Sequence, residues 1–362
     1  MTSPLPQALP ALHVPDGFLD APTSGATALL ALGALALAAV AARRGLAAGG
    51  PALPGLVAAF IFAAQMINFP VGAGTSGHLI GAALAVVLVG PAAACLVLTV
   101  VLVIQALLFA DGGLTALGTN VLLMAVFAVG TTALVALLAG RFGRTSRGVV
   151  IVAGICGFLS VPAAALGFVA LYLVGGAVPV PAGALTAAML GWHLVIGAGE
   201  AVLTATIVAA VVAARPDLVH ALRHRRVPLE VRPSPGTTRT AGAGADDLAG
   251  AAAPAPSTPS ERPPGRALAG IALGVCLLVA GGLSLLASGH PDGLEFVAES
   301  LGFADAARDS VAATGPLADY AATGLGTWAT PVAGVIGVLV TLLCAAVVIA
   351  AIRRRADVAA AH

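Results

Sequence analysis

Long apolar stretches, separated by short clusters of Gly, Pro, Asp or Arg, organise this chain of 362 residues. A helix needs about 20 apolar residues to cross a bilayer. Reading for that length gives seven spans in the first part, over 23–42, 54–69, 78–90, 91–110, 114–140, 148–175 and 184–214. The third is short and joins the fourth through "VGPAAA". Two further spans follow at 266–288 and 329–352. Between the two groups the chain turns to Arg, Pro, Ser, Thr and Gly, the composition of a disordered linker. The pattern predicts an all-α integral membrane protein: a seven-helix bundle over 12–215, a linker over 216–265, and a two-helix hairpin with a connecting loop over 266–355.

Charge orients this arrangement. Arg43 and Arg44 follow the first span, Arg141 and Arg144 the fifth, Arg215, Arg223, Arg225 and Arg226 the seventh, and Arg353, Arg354 and Arg355 close the last. Basic residues collect on the cytoplasmic side, so all four groups, the linker and the C-terminus are expected there, in a multi-pass protein of the bacterial plasma membrane. The amino-terminal segment, residues 68–78 and 110–113, and the hairpin loop are then expected on the extracytoplasmic face.

Composition agrees and narrows the function. Hydrophobic residues make up 59% of the chain and charged residues 9%, with a mean hydropathy of +1.03, against about 25% charged in soluble domains. Every basic side chain is arginine, with no lysine. A phosphate-cradling G-x-x-x-x-G-K-[ST] loop needs its lysine, so this chain carries no such ATPase site. Cys95, Cys156, Cys276 and Cys344 are widely spaced within apolar runs and read as small apolar residues. No basic segment precedes the first apolar run, which argues against a cleaved secretory signal.

The histidines carry the candidate chemistry. His220 and His224 lie among arginines and are expected to be solvated. His193 precedes Glu200 by two helical turns in "GWHLVIGAGE", and a buried His–Glu network that fixes the bundle is the expected role. His13 and His78 differ. Both are flanked by turn residues, neither has a basic neighbour, and both are expected on the outer face. Neutral imidazole is the commonest protein ligand for late transition metals, so the pair suggests a metal site.

"LHVPDGFLD" (12–20), "MINFPVGAGTSGHLIGAAL" (66–84) and "QALLFADGGLTALGTNVLLMA" (105–125) resemble the CbiM/NikM family, the substrate-capture (S) components of energy-coupling-factor transporters for cobalt and nickel. The hairpin with "PDGLE" (291–295) resembles the companion NikN-type module, fused here through the linker. The resemblance implies a chain with no cofactor and no catalysis of its own. It would work with a CbiQ/NikQ-type transmembrane coupling protein and CbiO/NikO-type subunits that hydrolyse ATP. It also implies a near-square-planar site of four nitrogens: a free terminal amine, the amide and imidazole nitrogens of the next residue, and the imidazole of the T-S-G-H loop. On this chain these fall on Leu12, His13 and His78.

An internal Leu12 nitrogen is tied up in an amide and ligates poorly, so the expected working start is residue 12. A TTG or CTG initiator would be decoded as methionine there. Four planar nitrogens suit Ni(II) and Cu(II), while calcium and magnesium favour oxygen and zinc a tetrahedron. Asp16, Asn68, Thr75 and Ser76 are candidates to orient the ligands, Asp111 to shape the entrance, and His290, Asp292 and Glu295 to form a relay or a brace. Ni2+ or Co2+ is the expected cargo, with nickel favoured through the fused module. The alternatives are a self-sufficient secondary permease, which would show ionisable residues along a midplane path, and a membrane metal sensor.

Overall fold

The structure is a computed structural model, and it describes residues 13–48, 52–72, 74–223, 265–322 and 325–360. Leu12, His224 and most of the expected linker lie outside the described residues. The first module contains α1 (Ala21–Ala48), α2 (Ala52–Gln65), a hairpin of β1 (Phe69–Gly72) and β2 (Thr75–Gly77), α3 (Ala82–Val89) and α4 (Pro91–Leu108). Next, a continuous helix runs through α5 (Leu117–Asn120), a π-helical turn (Val121–Phe127) and α6 (Ala128–Ala139). It is followed by α7 (Ser146–Gly175), α8 (Ala182–Ala214) and the short α9 (His220–Arg223). The second module contributes α10 (Arg266–Gly281), α11 (Gly293–Leu301) and α12 (Ala329–Ala360).

Among the described residues, seven helical segments are long and apolar enough to cross a membrane. Two expected spans are shorter. α2 has 14 residues, and α3 has only eight. The run over 78–90 starts its helix four residues late because Gly81 takes a left-handed conformation (φ 79°) that a helix cannot incorporate. Residues 78–80 therefore form an irregular segment inside the bundle. Buried backbone needs partners, and side chains supply them: the Gln65 amide donates to the Ile80 carbonyl at 3.0 Å, while the Ile80 and Gly81 N–H groups donate to Glu200 at 2.6 and 2.9 Å.

Local signals set the helix ends. Asp20 accepts the Thr23 N–H at 2.8 Å to open α1, Thr145 accepts the Gly148 N–H at 2.9 Å to open α7, and Pro91 begins α4 where its missing N–H costs nothing. The two modules pack as one body through α2, which lies against both α10 and α12. Contact is close there: a Cβ added to Gly337 would run into the Phe62 ring. In lipid, such close approach gains the dispersion contacts that hold helices together. Large exposed side chains such as Leu29, Leu137, Val174 and Leu286 cover the outside of the bundle, as a lipid-facing surface requires.

The four cysteines are unpaired thiols on these helices. His220, expected to be solvated, is instead half-buried with its ring against Gly90.

Candidate metal centre

Four segments distant in sequence meet at one end of the bundle: the amino-terminal loop, the β1–β2 hairpin with residues 78–81, the loop between α4 and α5, and the connection between α10 and α12. Their backbones are tied together directly. The Arg308 N–H donates to the Asp16 carbonyl at 2.7 Å, the Ser76 N–H to Pro291 at 2.8 Å, the Ser288 N–H to Asn68 at 2.8 Å and the Gly113 N–H to Val14 at 3.0 Å.

His13 and His78 face each other across this junction, with ring centroids 5.5 Å apart and planes tilted by 57°. Both are buried. His13 Nδ1 lies 2.8 Å from Asp111 Oδ1, and the other carboxylate oxygen accepts the Tyr320 hydroxyl at 2.7 Å. A carboxylate only accepts, so Nδ1 of His13 donates. Its Nε2 is buried and has no hydrogen-bond partner among the described residues. His78 lies with Nδ1 3.3 Å from the Leu79 carbonyl and Nε2 4.0 Å from Asp292. A cavity of about 80 Å³ is lined by both histidines and bordered by His193, Asn120 and Asp292.

Electrostatics keeps these groups in distinct states. Burial alone would raise the Asp111 carboxyl, but the charge and hydrogen bond of His13 and the hydroxyl of Tyr320 outweigh it, so the acid sits below its usual range. Burial and the Asp111 charge push Tyr320 well above its ordinary value, and it stays a donor. Asp292 is pushed up to about 6 by burial, against the bond it accepts from Glu295.

The expected supporting residues divide sharply. Asp111 holds the His13 ring instead of shaping an entrance. Asp16, a candidate for orienting a ring, accepts the N–H groups of Leu114, Thr115 and Ala116 and so fixes the loop that carries Asp111. Ser76 donates its hydroxyl to the His290 carbonyl at 2.8 Å and fastens the second module onto β2. Asn68 contributes its carbonyl to the same seam. Among the described residues, the Thr75 hydroxyl is buried without a hydrogen-bond partner and bonds neither ring nitrogen. Asp292 caps α11 by accepting the Glu295 N–H at 2.8 Å, and it borders the cavity; His290 is exposed, and Glu295 is buried in α11 away from the cavity lining. The seam supports the brace and leaves Asp292 alone of the three at the cavity.

His193 and Glu200 form no pair. Glu200 binds backbone N–H groups, and His193 Nδ1 turns to the Met189 carbonyl at 2.7 Å. Among the described residues, no group of three or more His, Cys, Asp or Glu side chains is arranged around one ion.

Two contributors escape a reading of the sequence. Asn120 clamps the Val14 backbone from both sides, accepting its N–H at 2.9 Å and donating to its carbonyl at 3.0 Å. Its signal is an amide side chain at the head of the apolar run "NVLLMA". Tyr320 has no comparable signal.

Residues 13–218 match the family model described as the cobalt uptake substrate-specific transmembrane region, and residues 266–354 match the PDGLE domain. The chain is 39% identical over 214 residues to a putative fused nickel transport protein NikMN of Archaeoglobus fulgidus, covering 58% of this chain and 68% of that one. It is 40% identical over 220 residues to a putative metal transport protein of Haloquadratum walsbyi, covering 58% of this chain and 93% of that one. A crystal structure of a truncated transition metal transporter, 30% identical, aligns with a TM-score of 0.49 over 56% of this chain and 99% of the other. This chain belongs to the cobalt uptake substrate-specific transmembrane family of cobalt and nickel transport proteins and carries a PDGLE domain behind its membrane bundle.

Proposed function

We propose that this chain is the substrate-capture component of an energy-coupling-factor importer and takes Ni2+ or Co2+ at the extracytoplasmic face between His13 and His78. A transmembrane coupling protein and separate ATPase subunits supply the energy. The observation that carries this reading is the pair of buried rings 5.5 Å apart, one of which keeps Nε2 buried without a hydrogen-bond partner. A buried polar nitrogen without a partner is costly, and a late transition ion is a partner that imidazole favours.

On this reading the donor set differs in one respect from the expected plane. A ring and its own amide nitrogen close a chelate only through Nδ1, and Nδ1 of His13 lies against Asp111. The orientation supports coordination through Nε2, with Asp111 as the acceptor behind the ring. The terminal amine of a chain starting at residue 12 would then join two imidazoles, and the His13 amide nitrogen would drop out. A bound deprotonated amide, visible in the ultraviolet–visible and circular dichroism spectra of the nickel form, would restore the planar chelate. N-terminal sequencing of membrane-extracted protein tests the proposed start.

Nickel is favoured because a similar protein is named a putative fused nickel transport protein. Direct competition of the two ions for purified full-length protein tests that preference. Replacing His78 by alanine is expected to weaken nickel binding at least ~10²-fold, in proportion to the loss of a ligand and not merely its support, with the thermal transition unchanged. Retained affinity would remove the site.

A further inference from the structure

We propose that the end of the bundle opposite the paired histidines holds the phosphate headgroup of an anionic phospholipid, with Arg43 of α1 as its buried anchor. Nothing in this depends on where the metal binds. The first span runs 23 residues from Ala21 to Arg43, and the last ends at Arg354. At about 1.5 Å per residue the first covers roughly 35 Å. That is slightly more than the ~30 Å of a hydrocarbon core, so Arg43 falls at headgroup level.

The Arg43 side chain is half-buried, yet its Nε is fully buried and has no hydrogen-bond partner among the described residues. An arginine cannot shed its proton, and a buried charged donor left unmatched is costly. The position therefore calls for an anion. Among the side chains described at this end, Asp217 is the only acid, and Arg215 holds it at 2.6 Å.

The surroundings of Arg43 fit a lipid. Ala38 and Ala42 of α1 join Ala93 and Leu96 of α4 and Ile349 of α12 in one apolar cluster, with Ile352 packed against it. Arg43 follows Ala42, and Arg353 and Arg354 follow Ile352, so helices of the two modules bring terminal arginines to one junction. Further into the membrane, Leu37 and Val40 on α1 and Leu343 and Val347 on α12 are exposed. Acyl chains rest on such surfaces, and a free phosphate would leave them unused. Basic pockets between helices at this level bind anionic headgroups, and guanidinium meets phosphate oxygens through parallel N–H donors.

The test titrates delipidated full-length protein in detergent with phosphatidylglycerol, phosphatidylcholine or inorganic phosphate, reading bound lipid by native mass spectrometry and stability by the thermal midpoint. The parent is expected to retain phosphatidylglycerol in preference to phosphatidylcholine and to be stabilised by it. Arg43→Gln should weaken phosphatidylglycerol binding ~10-fold or more, as the loss of a charge-assisted bond implies. Arg141→Gln, at an exposed arginine of the same end, should cost ~5-fold or less, the share of one arginine in the diffuse surface field. Equal retention of both lipids, or an equal loss in the two variants, would overturn the proposal. Protection by inorganic phosphate equal to that by phosphatidylglycerol would assign the position to a free anion and overturn the lipid reading. An Arg43→Gln protein that keeps its lipid but no longer co-purifies with the coupling protein would overturn it too, by assigning Arg43 to a subunit contact. Nickel plays no part in these readouts, so failure here leaves the capture pair standing.

Discussion

Glu200 and Asp111 are both buried carboxylates near the same pair of histidines, yet they serve opposite ends. Glu200, on α8, directs both oxygens to the backbone N–H groups of Ile80 and Gly81, where the chain leaves His78 and has not yet become helical. Asp111, on a loop, directs both oxygens to side chains, one to His13 and one to Tyr320. The first satisfies a break in secondary structure at membrane depth and belongs to the fold. The second sets the orientation of a ring and belongs to the candidate site. A buried acid is therefore no sign of function until its partners are known.

The sharpest way to break this contrast is Glu200→Ala. A stranded buried donor costs about 1–3 kcal/mol, so leaving the Ile80 and Gly81 N–H groups without their acceptor should destabilise the protein by roughly 3 kcal/mol. The measurement is the thermal or denaturant midpoint in detergent, and nickel affinity per folded molecule should change far less. Asp111→Asn should show the reverse, with ~10-fold or greater loss of nickel affinity at a nearly unchanged midpoint. If both variants lose stability and affinity together, the division between scaffold and site is wrong.

Asp292 sharpens the contrast further, because it caps a helix and borders the cavity. Its carboxyl is raised from 3.8 to about 6 by burial. A group raised on folding contributes stability that is complete below its unfolded value and is lost as pH climbs through its folded value. Metal-free protein should therefore lose stability between about pH 4 and 6 through this residue. Asn caps a helix about as well as Asp, so Asp292→Asn should flatten that slope with little change in the midpoint at pH 4. An unaltered slope would mean that Asp292 is already solvated.

How much of this was legible beforehand follows from the physics of each signal. Hydropathy reads spans well, and the long helices α1, α4, α7, α8, α10 and α12 lie where apolar length puts them. It misreads 78–81, because "HLIG" is apolar enough for a helix while the Gly81 conformation and the Glu200 anchor are invisible to a count of apolar residues. His13 and His78 stood out as histidines among turn residues, and they do meet. The roles of the carboxylates were not legible. Asp16 and Asp111 both lie in Gly-flanked turns, and only the contacts show one bonding backbone and the other a ring. Tyr320 was beyond reach because its partner lies 209 residues away and no periodicity links them.

The central claim is that two specific rings hold the ion. Copper(II) is a paramagnetic probe suited to planar nitrogen sites, and pulsed electron paramagnetic resonance of the copper-loaded full-length protein counts coupled imidazoles directly. The account predicts two in the parent, and one in each of His13→Ala and His78→Ala. Two imidazoles retained in His13→Ala would contradict it.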